Sequence, residues 1–169
     1  MSPPSDAAPQ QPAPPQQLII NAQYLKDLSF ESPRSPHSLL TQQQAPEVSL
    51  NVDVKARSLG PEVYEVMLTI GATAKHGADV AFLVELTYGA VATIQNTPQD
   101  IVPFLLFVET PRIMFPFARA ILSDATRDGG FPPLMINPID FLELMRRDQA
   151  RVQQQQAQGA PQQQPSLQS

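Results

Sequence analysis

The chain has no cysteine, no tryptophan and only two histidines among its 169 residues. Without cysteine there is no disulfide framework and no thiolate nucleophile or metal ligand. Two isolated histidines, His37 and His76, give no reason to expect a metal site. Charge is also scarce. Charged residues make up 16%, and 11 Lys plus Arg against 16 Asp plus Glu leave a net charge of −5. An acidic chain with no basic cluster argues against phosphate-backbone binding, so no nucleic-acid partner is expected. No apolar run reaches the ~18 residues of a membrane-spanning helix, so no direct membrane insertion is expected. The opening MSPPSDAAPQQPAPPQQ lacks the cationic start and apolar stretch of a secretory signal, which makes the cytoplasm the expected compartment.

What the chain does have is 42% hydrophobic residues, enough for a core, and 19 prolines. The two ends differ from the middle. Residues 1–17 hold six prolines, four glutamines and one charge, Asp6; residues 149–169 hold ten glutamines and one charge, Arg151. Such segments cannot bury enough apolar surface to offset ordering entropy. The expected organisation is a disordered tail over 1–17, one domain over 18–148, and a tail over 149–169 in which the last helix ends before disorder begins.

The parity of apolar residues organises the domain, because side chains on a strand alternate between faces. Leu18, Ile20, Ala22, Tyr24, Leu28 and Phe30 share one face of a first strand. Lys26 interrupts that row, and a bulge or an edge position would accommodate it. Val48, Leu50, Val52, Val54 and Ala56 form an unbroken row in a second. Tyr64, Val66, Leu68, Ile70, Ala72 and Ala74 follow in a third, and Val80, Phe82, Val84, Leu86, Tyr88, Ala90 and Ala92 in a fourth. One buried face per strand implies an antiparallel sheet. Lys75 to Asp79 suits a hairpin turn, Leu59-Gly60-Pro61 a similar link, and the long segment 32–46 a crossover, a functional loop, or both.

Helices follow. Thr97-Pro98-Gln99-Asp100 is a start signal, with Thr110-Pro111 as a break and Gly129-Gly130 as a stop. Asn137-Pro138-Ile139-Asp140 repeats the start signal before a last helix whose apolar stripe includes Phe141, Leu142, Met145 and Val152. The expected fold is α+β in two layers: a four-stranded antiparallel sheet, then a long broken helix and a C-terminal helix covering the even-numbered face. The segment Ile101–Phe117 is apolar nearly all round, more than one sheet face can absorb, and that surplus implies a second subunit.

Reactive constellations are missing. There is no glycine-rich phosphate loop. Glu62 with Glu65, or Asp124 with Asp128, fit exposed strand and helix faces better than paired acid–base roles. His37 and His76 have no acid or nucleophile at a diagnostic spacing. No catalytic residue, cofactor or metal is expected, and the residues describe a binding or assembly module.

The string Tyr24 to Pro36, YLKDLSFESPRSP, resembles the first strand and loop of the SecB family of bacterial export chaperones. Val63-Tyr64-Glu65-Val66, Ala81-Phe82-Leu83-Val84-Glu85, Pro111 to Arg119 (PRIMFPFAR), Gly130 to Leu134 (GFPPL) and Asn137 to Phe141 (NPIDF) are similar to later family motifs, in order. The resemblance spans roughly 18–146. It implies a crossover loop between strands one and two, and a homotetramer built as a dimer of dimers. It also implies an ATP-independent holdase that keeps unfolded precursor proteins translocation-competent and delivers them to the motor SecA. Many family members carry an aromatic residue just before the Pro-Glu that opens strand two; here Gln44 and Ala45 precede Pro46-Glu47. The same fold could serve a toxin–antitoxin system, or act as a non-chaperone assembly module.

Two sets of residues acquire roles on this reading. Asp27, Glu31 and Glu85 lie at odd, outward positions, and Leu83 is apolar there with no core to justify it. In the family the matching residues receive the basic, zinc-bearing tail of SecA. A holdase also needs an adaptable apolar groove. Candidates to line it are Leu39 and Leu40 in the crossover loop, Val48, Leu50 and Val52 in the second strand, and Phe141, Leu144 and Met145 in the last helix. Parity already assigns the strand positions to the buried face, so core packing competes with groove lining there.

Overall fold

The structure, a computed structural model, describes residues 15–40 and 45–158. The readings that concern 1–14, Gln44 and 159–169 lie outside the described residues. Four strands, β1 (Gln17–Glu31), β2 (Glu47–Gly60), β3 (Val63–His76) and β4 (Asp79–Gln95), form one antiparallel sheet in the order β1-β4-β3-β2. β2–β3 and β3–β4 are hairpins. β1 and β2 are consecutive in the chain yet lie at opposite edges, so the segment between them crosses the sheet. That crossover contains a helical turn, α1 (His37–Leu40). It is tied to the start of β4 by the Arg34–Asp79 ion pair and by Ser32 Oγ donating to the Ala81 carbonyl at 3.2 Å.

In β3 and β4 the parity expectation holds. Val66, Leu68, Ile70, Ala72, Ala74, Phe82, Val84, Leu86, Ala90 and Ala92 are buried. β1 departs from it, because two bulges shift its register. Ile20 pairs with Ala92 but Ala22 with Val91, so Asn21 is surplus and the faces exchange. Ala22 and Tyr24, expected in the buried row, therefore stand on the outer face, while Gln23 and Leu25 turn to the helix side. Lys26 is the second surplus residue, the bulge that its interruption of the row called for. Beyond it Leu28 and Phe30 return to the helix side, opposite Leu86 and Val84.

The helical layer opens with a long helix, α2, over residues 102–128. It comprises Val102–Phe104, a π-helical turn Leu105–Glu109, and Thr110–Asp128. The expected break at Thr110-Pro111 takes the form of that π turn. Proline has no N–H to continue the α ladder, and the chain widens by one residue instead of stopping. The Thr110 N–H and, at 2.8 Å, its hydroxyl both donate to the Leu105 carbonyl. The start signal at Thr97 acts earlier than the helix: Thr97 Oγ1 bonds the Gln95 carbonyl, Ile101 N–H closes a turn onto Pro98, and regular helix begins at Val102. At the far end Gly129 accepts the ring of Phe30, which stacks on Phe82 and meets Phe131 at a tilt. The last helix, α3 (Phe141–Gln158), is capped by Asp140, not Asn137: Asp140 Oδ1 accepts the Glu143 N–H at 3.0 Å. α3 runs well past residue 148. No helix among the described residues is long and apolar enough to cross a membrane.

Candidate functional site

The helix layer covers β2 only in part. Val52, Val54 and Ala56 pack against the core, whereas Val48 and Leu50 on the same face remain exposed. Beside them Val54, Pro103, Phe107, Leu144, Met145 and Val152 line an apolar cleft of about 370 Å³ between β2, the start of α2 and α3. It adjoins a second, mainly polar groove in which Leu50, Val52, Ile139 and Leu144 meet Lys55, Thr69, Glu85, Thr87, Arg147 and Arg151. Of the residues expected to line a groove, the structure thus brings Leu50, Val52, Leu144 and Met145 together, with Val48 two residues along the strand. Leu40 projects from the crossover with 78% of its surface exposed, while Leu39 packs against the core close to Gly130.

Phe141 is a correction. It is 1% exposed and meets Phe115 edge-on, with ring centroids 6.1 Å apart, so its side chain belongs to the core. A helical stripe names a face but not what that face meets; Phe141 at the start of α3 is buried, and from Leu144 onward the helix borders the cleft. The structure adds Val54, Phe107, Ile139 and Val152. Three of them carried a signal: Val54 continues the β2 row, Phe107 belongs to the surplus apolar segment, and Val152 lies on the α3 stripe.

The opposite face of the sheet is open. On it Glu31 pairs with Leu83, Ser29 with Glu85 and Asp27 with Thr87, in successive cross-strand positions. Asp27, Glu31, Leu83 and Glu85 therefore form one contiguous patch pointing away from the helices. A shallow groove bordered by Ser29, Glu31, Asn51, Thr73, Leu83 and Glu85 runs across it. Gly71, opposite Glu85, leaves the room: the Glu85 Oε2 atom lies 3.8 Å from where a β-carbon would stand. Among the described residues, Asp27, Glu31 and Glu85 form no ion pair, so the patch presents three carboxylates around one leucine.

The same face holds a group that sequence reasoning missed. Glu65, read as an exposed strand residue, is 3% exposed. Tyr24 Oη and Lys26 Nζ both donate to its Oε1, the latter at 2.7 Å, and Arg57 Nε donates to Oε2. The donors come from β1 and β2, the two sheet edges, so the carboxylate clasps the outer face from side to side. Tyr24 crosses β4 over Gly89, its partner in register, where no side chain blocks the ring.

The hydrogen bond from Lys26, then that from Tyr24, with Arg57 adding, outweighs burial and lowers the Glu65 carboxyl from its ordinary 4.5 to about 2. Burial first, then the bond to Glu65, raises the Tyr24 phenol to about 12. Glu65 thus contributes stability that is complete above pH 4.5 and is lost as pH falls through that window toward about 2. The Tyr24 contribution is complete below pH 10 and is lost as pH rises toward about 12. The urea midpoint should therefore fall between pH 4.5 and 2 more steeply in the unaltered protein than in Glu65→Gln. Parallel pH profiles would show that the carboxylate is not clasped.

An α+β layer pair with an open apolar cleft on one side and an acidic sheet face on the other defines a protein that works through binding surfaces. Among the described residues no group of three His, Asp or Glu could hold a metal ion. The profile of the family described as preprotein translocase subunit SecB matches residues 10–154. A protein-export protein SecB of Bradyrhizobium is 48% identical over 148 residues, covering 88% of this chain and 90% of that protein. One of Bartonella bacilliformis is 50% identical over 130 residues, covering 77% and 82%. A solved structure of a Mycobacterium tuberculosis SecB-like chaperone, in complex with an antitoxin peptide, is similar in fold. Its TM-score is 0.60 at 13% identity, over 72% of this chain and 90% of that one. The chain belongs to the SecB family of protein-export chaperones.

Proposed function

We propose that the protein is an ATP-independent holdase that binds unfolded precursors in its apolar cleft and delivers them to SecA through its acidic sheet face. The observation that carries this is that the apolar cleft and the patch of Asp27, Glu31 and Leu83 lie on opposite faces of one sheet, with Glu85 at the groove between them. A chain held in the cleft leaves Asp27, Glu31 and Leu83 free. Holding needs no chemistry and no nucleotide: it is equilibrium burial of apolar client segments, and Met145 and the long α3 side chains let the cleft adapt to many sequences. Relatives sharing nearly half their residues are named for export, whereas the antitoxin-bound neighbour shares 13%, so export is the better supported reading.

Two exposed apolar strips support a dimer of dimers. One lies on the helix side of β1 (Leu25, Leu28), the other on the outward side of α2 (Ile113, Phe117). β1 is a sheet edge, suited to pairing with a second copy. Gln23, on that strand, has a buried Oε1 with no partner in its own subunit, as fits a group completed across the edge.

Leu50→Ser with Val152→Ser tests the cleft. Both side chains are about half exposed, so the fold should survive, while retardation of a slow-folding precursor should require severalfold more chaperone. Unchanged retardation would place the client elsewhere. Leu83→Arg and Glu85→Gln test docking. The first sets a like charge against a basic tail and should weaken calorimetric binding of the zinc-loaded SecA tail at least about tenfold. The second should weaken it less, and mainly at low salt. Wild-type affinity in both would leave the face as solvated sheet.

A further inference from the structure

Lys26 stands directly before Asp27, so a basic side chain is built into the edge of an acidic patch. It does not lie in that patch. Lys26 is the surplus residue of the second β1 bulge, between Leu25 on Tyr88 and Asp27 on Thr87. Its ammonium reaches across the outer face, away from Asp27, to Glu65 Oε1 at 2.7 Å and Met67 Sδ at 3.4 Å. Glu65 is held in turn by Tyr24 and Arg57. We infer that Glu65 is a positioning residue of the docking face: it holds the Lys26 ammonium on β3 and so keeps the patch of Asp27, Glu31 and Glu85 free of a neutralising cation. This rests on the reading of that face as the SecA dock.

The physical case is one of competing anions. A lysine stem is flexible, and Asp27 is the nearest carboxylate in sequence. Asp27 is solvent-exposed, where an ion pair is worth little. Glu65 is buried and offers an oxygen already aligned by the Tyr24 hydroxyl, where a charge-assisted bond is stronger. The ammonium therefore stays on Glu65. The bulge is what allows it: a surplus residue has no partner across the ladder, so Lys26 can lean along the face while Asp27 keeps its outward register. Remove the Glu65 charge, and the ammonium is released beside the dock, where it screens the acids from a basic partner.

Calorimetric titration with the zinc-loaded SecA tail at low ionic strength tests this on the full chain. Glu65→Gln should bind about three- to fivefold more weakly, the upper part of the range one exposed ion pair supplies. Glu65→Gln with Lys26→Gln should return to within about twofold of wild type, since the released cation is gone. A purely structural clasp would give no recovery in the double variant, and that result, or unchanged binding by Glu65→Gln, overturns the inference. Glu85→Gln run alongside separates the two failures. If it weakens binding and Glu65→Gln does not, only the positioning role falls; if neither does, the dock itself falls. A second measurement needs no variant to fold: limited acetylation followed by mass spectrometry. Lys26 should react severalfold more slowly than Lys55, and equal rates in the unaltered protein overturn the inference as well.

Discussion

Phe141→Ala is expected to cost the domain about 3–5 kcal/mol, the range for deleting a fully buried aromatic side chain. Phe141 is among the largest fully buried side chains and meets the Phe115 ring. Truncation loses the transfer energy of the ring and leaves a void that the helix–sheet layer cannot collapse to fill, because Phe115 is a buried residue of α2 held by that helix's own packing. The denaturant midpoint should drop sharply with little change in slope. As a groove residue Phe141 would behave differently, with a small loss of stability and a large loss of client affinity. If Phe141→Ala keeps its midpoint and loses client binding, the placement of Phe141 in the core is wrong.

Gly89→Val should be comparably severe, about 3 kcal/mol or more, by a different mechanism. Tyr24 lies across β4 at this position. A β-carbon on residue 89 would stand inside the ring, 2.7 Å from Cε2, and the nearby backbone cannot give way because it is the centre of the β1–β4 and β3–β4 ladders. The ring must leave its seat, which is overpacking at a rigid site. Its departure also withdraws the hydroxyl from Glu65, so a buried carboxylate loses a donor. The combined variant Tyr24→Ala with Gly89→Val separates the terms. It should be less destabilised than the sum of the single changes, because the steric conflict exists only when the ring is present. Strict additivity of the two would show that the ring and residue 89 do not meet. The acid sensitivity between pH 4.5 and 2 should also diminish in Gly89→Val, since the Tyr24 hydrogen bond is one of the causes that lower the Glu65 carboxyl.

Much of the binding architecture was legible in the residues. Odd positions in β4 and in the end of β1 put Asp27, Glu31, Leu83 and Glu85 on one face, and strand pairing adds that Glu31 and Leu83 are direct neighbours. The length of the segment between β1 and β2 pointed to a crossover, and β1 and β2 do occupy opposite edges. The unbroken row from Val48 to Ala56 named a buried face, but not that the helices stop short of Val48 and Leu50 and leave them at the mouth of a cleft. Coverage depends on where another element ends, which a strand does not encode.

What the sequence determined by itself is local: period-two alternation fixes faces within an unbulged strand, proline and glycine mark where helices bend and stop, and a series of motifs in order marks the family. What only the tertiary structure decided are relations between distant segments. The bulges at Asn21 and Lys26 exchange the faces of β1, because pairing with β4 and not the strand's own pattern sets the register. Phe141 is core because α2 lies against it, and a helix's periodicity cannot say which of its turns meets a neighbour. Glu65 is buried because Tyr24, Lys26 and Arg57 converge on it from both edges through the gap at Gly89, and groups 8 to 41 residues away become its solvent only after the sheet has closed.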